Sequence, residues 1–227
     1  MFCKNCGKQI DDYSLSCQYC GAEQTQSVSS HNILADVQFK SNGKSAQFFD
    51  DHIEFYGKSF RYDDIKTLIT RGLTTIHTYI GIPVGRSFDG VVQFKLNNGK
   101  THHINMNAMN IFGIGKARKN EKLFPPLFNA VYSIVAKRMA EKQIDMIREG
   151  ATVEVAGLTI NSLEATSKSK VSKKVVVINK ENYRESHLIN GSGVIVYDKP
   201  GEILWSSSMM NSKNVLLVPY ILDTIFS

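Results

Sequence analysis

Four cysteines stand at positions 3, 6, 17 and 20, and the rest of the 227-residue chain has none. They fall in two copies of one string, Cys3-Lys4-Asn5-Cys6-Gly7 and Cys17-Gln18-Tyr19-Cys20-Gly21. A two-residue spacer lets both sulfurs of a tight turn face one ion at about 2.3 Å. Gly7 and Gly21 follow the second cysteine of each pair, where the chain turns sharply and a residue without a side chain reaches positive φ easily. The stretch from Gly7 to Ser16 suffices for a short hairpin, with Asp11-Asp12 as its turn. Four thiolates suit one zinc ion with no open coordination position, which is a structural arrangement and not a catalytic one. Thiolate softness also admits iron in a rubredoxin-like site or a redox-active dithiol. A segment this short buries no core, so the metal must supply its folding free energy, on the order of 10 kcal/mol.

These knuckles resemble the short zinc ribbon at the head of many bacterial multidomain proteins. The resemblance implies one structural zinc ion on Cys3, Cys6, Cys17 and Cys20. It leaves the partner open, since such ribbons bind nucleic acid in some proteins and protein in others. Charge favours protein. The whole chain is formally +6, yet residues 1–26 carry Lys4 and Lys8 against Asp11, Asp12 and Glu23, a side-chain balance of −1. Four thiolates on a divalent ion leave a further charge of about −2. The positive excess lies in Lys116 to Lys122, Lys137 to Lys142 and Lys168 to Lys174.

Composition bounds the rest. Hydrophobic residues make up 42%, charged residues 21%, and there are five prolines, which is globular composition. No window approaches the roughly 18 apolar residues of a spanning helix, and Lys4, Asn5 and Lys8 stand where a signal peptide would be apolar. The expected compartment is the cytoplasm, where thiols stay reduced and clustered cysteines read as metal ligands.

The elements that must carry the ribbon follow a polar linker. Residues 1–24 form the ribbon and 25–32 the linker, within the polar, aperiodic run from Ala22 to Asn32. From Ile33 onward, short aromatic and β-branched runs alternate with turn signals at Ser41-Asn42-Gly43, Asp50-Asp51, Tyr56-Gly57-Lys58 and Arg71-Gly72. That is the pattern of consecutive antiparallel strands. A hairpin is expected from Val91–Leu96, through Asn97-Asn98-Gly99, to Thr101–Met106, with Val92, Phe94, Leu96, Ile104 and Met106 on the core face. A long amphipathic helix is expected from Pro126 to Glu149, with Pro126 in its first turn and Gly150 as its stop. The plan then repeats: Gly90-Val91-Val92-Gln93-Phe94 corresponds to Gly193-Val194-Ile195-Val196-Tyr197, and Pro125-Pro126-Leu127 to Val218-Pro219-Tyr220.

Strands in a row closed by one C-terminal helix, with the run Asp51 to Ile65, resemble bacterial pleckstrin-homology-like (PH-like) domains. The resemblance implies a mainly β, α+β chain. After the ribbon it places two antiparallel barrel-like units at 33–150 and 151–227, each closed by a C-terminal helix. The basic loop Thr166 to Lys174 departs from that pattern.

Catalytic constellations do not assemble. Gly113-Ile114-Gly115-Lys116 lacks the spacing of a phosphate loop and reads as a connector. Gly81 to Gly85 reads as a turn, and Trp205 as core. His102 and His103 are strand neighbours that point to opposite faces and cannot share an ion, while His31, His52, His77 and His187 lack a partner at ligand spacing. The stretch around Phe112 and Ile114 places apolar side chains beside Lys116, Arg118 and Lys119. Lys168, Lys170, Lys173 and Lys174 form a second basic stretch. The reading is a non-enzymatic zinc-binding adaptor that recruits a protein. The alternatives are nucleic-acid binding through 116–122 and 168–174, or attachment to an anionic membrane through 111–119.

Overall fold

The computed structural model describes residues 5–9, 17–22, 32–39, 43–112, 114–168, 175–189, 193–209 and 212–227. The chain divides into two compact units, Met1–Asn32 and Ile33–Ser227. Within the larger unit, alternating apolar residues build a four-stranded antiparallel meander: β1 (Ile33–Gln38), β2 (Ser45–Phe49), β3 (His52–Phe55) and β4 (Lys58–Arg61). Ala46 and Phe48 on β2, and Ile53 and Phe55 on β3, face the core while their neighbours face out. A single 3-10 turn, Tyr62–Asp64, leads into β5 (Ile65–Tyr79), β6 (Ile82–Leu96) and β7 (Thr101–Asn105). β6 is the middle strand of this second sheet, and its far half also pairs β8 (Ala108–Ile111), which pairs β9 (Ile114–Gly115).

The expected hairpin is present, with Val92 opposite Ile104, Phe94 opposite His102, and Val92, Phe94, Leu96, Ile104 and Met106 all buried. Two other expectations need correction. Arg71-Gly72 does not separate strands, because it lies inside β5. Gly72 is paired with Gly90, and a Cβ built on it would lie 2.4 Å from Phe124 Cε1. The glycine therefore admits an aromatic ring to the sheet face and does not turn the chain. The turn expected over Gly81 to Gly85 is confined to Ile80-Gly81, and Ile82 to Gly85 belong to β6. Pro83 is tolerated there because the β5–β6 register shifts between His77 and Thr78.

The long helix also begins earlier than Pro126. Residues Ala117–Ala130 form α1, Val131–Ala136 continue as a π-helical stretch, and Lys137–Arg148 form α2. The prolines lie inside α1 even though each removes an amide donor. Tertiary contacts outweigh that cost at its start. Ala117 N donates to Asn110 Oδ1 at 2.7 Å, Asn120 Nδ2 donates to the Met106 carbonyl at 2.7 Å, and Ala117, Asn120, Phe124, Leu127 and Phe128 are buried.

The second half repeats the succession. Strands β10 (Val153–Val155), β11 (Leu158–Ile160), β12 (Glu164–Lys168) and β13 (Val175–Asn179) form a four-stranded meander. Strands β14 (Tyr183–Ile189), β15 (Gly193–Asp198) and β16 (Ile203–Ser208) form a three-stranded one, and α3 (Leu217–Phe226) follows. The sequence-matched stretches Gly90–Phe94 and Gly193–Tyr197 lie on β6 and β15, each the middle strand of its meander. Thr166 to Lys168, expected in a basic loop, are the end of β12. Among the described residues the sheets are antiparallel, and they form no closed barrel.

One continuous core runs from Phe39 to Phe226, so 33–150 and 151–227 share their apolar interior. Trp205 and Met209 are buried in it. Asn214 ties the halves together at the edge of β5: its N–H donates to the Leu68 carbonyl at 2.8 Å, and its Oδ1 accepts from Leu68 N–H at 2.7 Å. The left-handed φ of 60° at Asn214 suits asparagine. Tyr132 stacks on Tyr220 at 4.7 Å, joining the helical segment to α3. On α3, Asp223 accepts a short hydrogen bond from Tyr183, whose hydroxyl also meets Ser186 Oγ at 2.8 Å.

Replacing Asn214 by Gly keeps the backbone conformation accessible but leaves the Leu68 amide without its acceptor. The expected loss is about 1–3 kcal/mol, read as a lower urea midpoint at unchanged slope. Burial is the largest influence on Asp223 and pushes its carboxyl above the ordinary value of 3.8, against the hydrogen bond from Tyr183. A raised folded pKa contributes stability that is full below the unfolded pKa and disappears as pH rises through the folded one. Asp223→Asn should therefore flatten the fall in stability on raising pH above about 4, in melting curves compared across pH.

Candidate metal centre

Backbone geometry turns the chain sharply after Cys6 and after Cys20. Gly7 and Gly21 take φ of 69° and 68°, the left-handed turns expected after each pair. The second knuckle closes on itself, with Gly21 N–H donating to the Cys17 carbonyl at 2.8 Å and Cys17 N–H to the Ala22 carbonyl at 2.9 Å. The sulfurs of Cys6, Cys17 and Cys20 all lie within 4.8 Å of one another. Cys6 Sγ and Cys17 Sγ are 3.6 Å apart, close to the roughly 3.8 Å edge of a tetrahedron with 2.3 Å zinc–sulfur bonds. Cys3, the fourth ligand read from the sequence, lies outside the described residues, as does the Asp11-Asp12 turn.

Donors around the sulfurs favour thiolate. Tyr19 N–H donates to Cys17 Sγ at 3.4 Å and Asn5 Nδ2 to Cys20 Sγ at 3.7 Å. The Ala22 amide first, and then the Asn5 side chain, lower the pKa of Cys20. Cys17 is only 2% exposed, whereas Cys6 and Cys20 are exposed. Lys8 sits over the exposed Tyr19 ring at 4.8 Å, so part of the small positive complement of the ribbon is spent on its own aromatic. Three sulfurs at this spacing fit a soft divalent ion, and Cys6, Cys17 and Cys20 would hold it.

The other candidate residues are dispersed. His102 is half-buried and stacks on Phe60 at 5.1 Å, while His103 is exposed on the opposite face, so the pair shares no ion. Burial, followed by Lys58 and Lys100, lowers the pKa of His102, which suits a neutral sheet residue. His52 meets Asp51 at 2.5 Å and Glu54 at 3.3 Å and stacks on Phe49. His77 meets Ser87 Oγ at 3.0 Å, and His187 meets Glu185 at 3.0 Å. Phe112, Ile114, Lys116, Arg118 and Lys119 are all exposed, around the β8–β9 turn and the first turn of α1. Lys168 ends β12, and Lys170, Lys173 and Lys174 lie outside the described residues, as does Gly113.

Sequence reading missed one exposed group. Tyr79, Ile80 and Ile82 form the exposed tip of the β5–β6 hairpin, which runs past the β8–β9 turn. A large apolar residue in front of glycine at a turn was the available signal, and reading Gly81 to Gly85 as the turn hid it.

Residues 2–24 match a family model described as a zinc-ribbon domain. No curated protein and no solved structure matches the chain. The N-terminal unit thus carries a zinc-ribbon domain with its cysteine cluster, and both point to zinc binding. No described helix is long and apolar enough to cross a membrane. Cys6→Ser and Cys17→Ser should each abolish stoichiometric zinc in the purified chain. Asn5→Ala should retain zinc with affinity weakened about tenfold, as for a donor outside the ligand shell. Chelator competition with a colorimetric zinc indicator measures both.

Proposed function

We propose that this chain is a non-catalytic adaptor of bacterial type, in which a ribbon built on one structural zinc recruits a protein partner. Two PH-like units carry that ribbon. The observation that carries the proposal is the doubled succession of a four-stranded meander, a three-stranded meander and a helix, first in β1–β7 and α1, then in β10–β16 and α3. Meanders of this order closed by a helix suit a scaffold that presents loops and edges to partners. The first unit departs from that plan by adding the β8–β9 hairpin before its helix.

A sulfur-only donor set supports a structural ion, because catalytic zinc keeps an open position. The strongly shifted side chains fit the non-catalytic reading as well. Tyr62, Tyr132 and Tyr183 are raised chiefly by burial, and each packs into the core or its edge. The acidic balance of residues 1–26 argues for a protein surface in preference to a nucleic-acid backbone.

Affinity capture with the tagged full chain and its Cys17→Ser variant tests the recruiting role. The expected result is a protein enriched by the wild type and lost with the variant, at equal bait levels. Identical capture by the two baits would count against the ribbon as the contact head.

A further inference from the structure

The distal part of the β5–β6 ribbon is built against folding economy. From Arg71 to Ser87 no residue is buried, although the two strands stay paired over that whole length. At about 3.3 Å per residue, Gly72 to Tyr79 reach some 25 Å. Beyond the Gly85–Ile111 pair, where β8 ends, only β5 and β6 continue, and a two-stranded ribbon without a buried face is marginal on its own. The turn at its end is stranger still. Ile80 and Gly81 take φ of 50° and 76°, a turn in which asparagine or glycine is favoured and a β-branched residue is strained. Ile80 is 83% exposed, so no packing offsets that strain. Tyr56, in the equivalent place before Gly57 with φ of 53°, instead packs on Phe39 at 5.1 Å.

The β8–β9 turn repeats the anomaly beside it. Gly85 pairs with Ile111, and Phe112 N–H donates to the Val84 carbonyl at 3.0 Å, so the two turns end on one side of one sheet. Phe112 has φ of 48° and is 79% exposed, and Ile114 is 81% exposed. Tyr79, Ile80 and Ile82 at the end of one hairpin, and Ile111, Phe112 and Ile114 at the end of its neighbour, are all exposed, and together they make this end of the sheet an apolar ridge. Scattered exposed apolar residues need no explanation, but large ones gathered at two strained turns on one end of a sheet do.

Charge selects the occupant. Lys116, Arg118 and Lys119 follow directly behind the ridge, exposed and without an ion pair among the described residues. The nearby acid Glu121 is neutralised by Arg86 at 2.7 Å. Arg86, Asn110, Phe112 and Arg118 line a cleft of about 290 Å³ near the β8–β9 turn. A protruding apolar edge seats poorly in another flat protein face. It inserts readily into the boundary between lipid headgroups and acyl chains, where cations behind it meet lipid phosphates.

We infer that the tips of the β5–β6 and β8–β9 hairpins dock the protein on an anionic lipid surface, with Ile80 and Phe112 inserted and Lys116, Arg118 and Lys119 on the headgroups. This goes beyond the adaptor role and uses residues remote in sequence from the ribbon, so each can fail alone.

The test is sedimentation of the full chain with phosphatidylcholine vesicles, with and without about 30% phosphatidylserine. Wild type should partition to the anionic vesicles and lose that binding as salt rises. The double variant Ile80→Asn/Phe112→Asn places a residue favoured at left-handed φ in each turn. It should keep or raise the melting temperature while losing at least about tenfold in partitioning. Lys116→Glu/Arg118→Glu/Lys119→Glu should lose the preference for phosphatidylserine. Wild type that stays in the supernatant, or a folded double variant that binds as well as wild type, would overturn the inference. So would light scattering that finds a wild-type dimer reduced to monomer by the double variant, because the ridge would then be covered by a second copy.

Discussion

The larger unit depends on one apolar surface, the buried face of the helical segment from Ala117 to Arg148. Phe124, Leu127, Val131, Val135, Ala140, Ile144 and Ile147 turn to the same interior. Its first part packs on β1, β5, β6 and β8, and its last part on α3 and β10. Because the helix is shared, neither half completes a core without it. That is why the helix tolerates two prolines and a π-helical stretch: the burial of its face is worth more than the hydrogen bonds they disturb.

The same dependence explains the glycines and polar contacts beside the helix. Phe124 reaches the sheet because Gly72 has no side chain, and Phe88 packs where Gly90 has none. Asn110 and Asn120 are buried polar residues, and each is spent on joining the start of the helix to the sheet. Asn214 makes an equivalent join between the second half and β5. Buried polar groups are affordable when their partners are supplied, and here the partners come from distant parts of the chain.

The ribbon rests on a different constraint. Its described residues include one buried cysteine and no apolar cluster, so sulfur–metal bonds must replace a core. The ridge at the hairpin tips departs from both schemes, as strained turns carry bulky apolar residues that the interior does not use. Departures from local preference gather at functional surfaces because only an external partner can offset them.

Short-range chemistry was legible in the sequence. Spacing and glycine placement marked the cluster of Cys6, Cys17 and Cys20, alternation marked the Val91–Met106 hairpin and its core face, and the mainly β character followed from the strand pattern. These rest on neighbours within a few residues, where side-chain period and turn preference act directly. Tertiary structure decided the rest. It moved the helix start from Pro126 to Ala117, turned Gly72 from a break into a contact, and merged residues 33–227 around one core. It also brought the β8–β9 turn at Phe112 alongside Val84 of β6, far apart in the chain. Each of these depends on what packs against a residue from elsewhere, and local sequence carries no record of that.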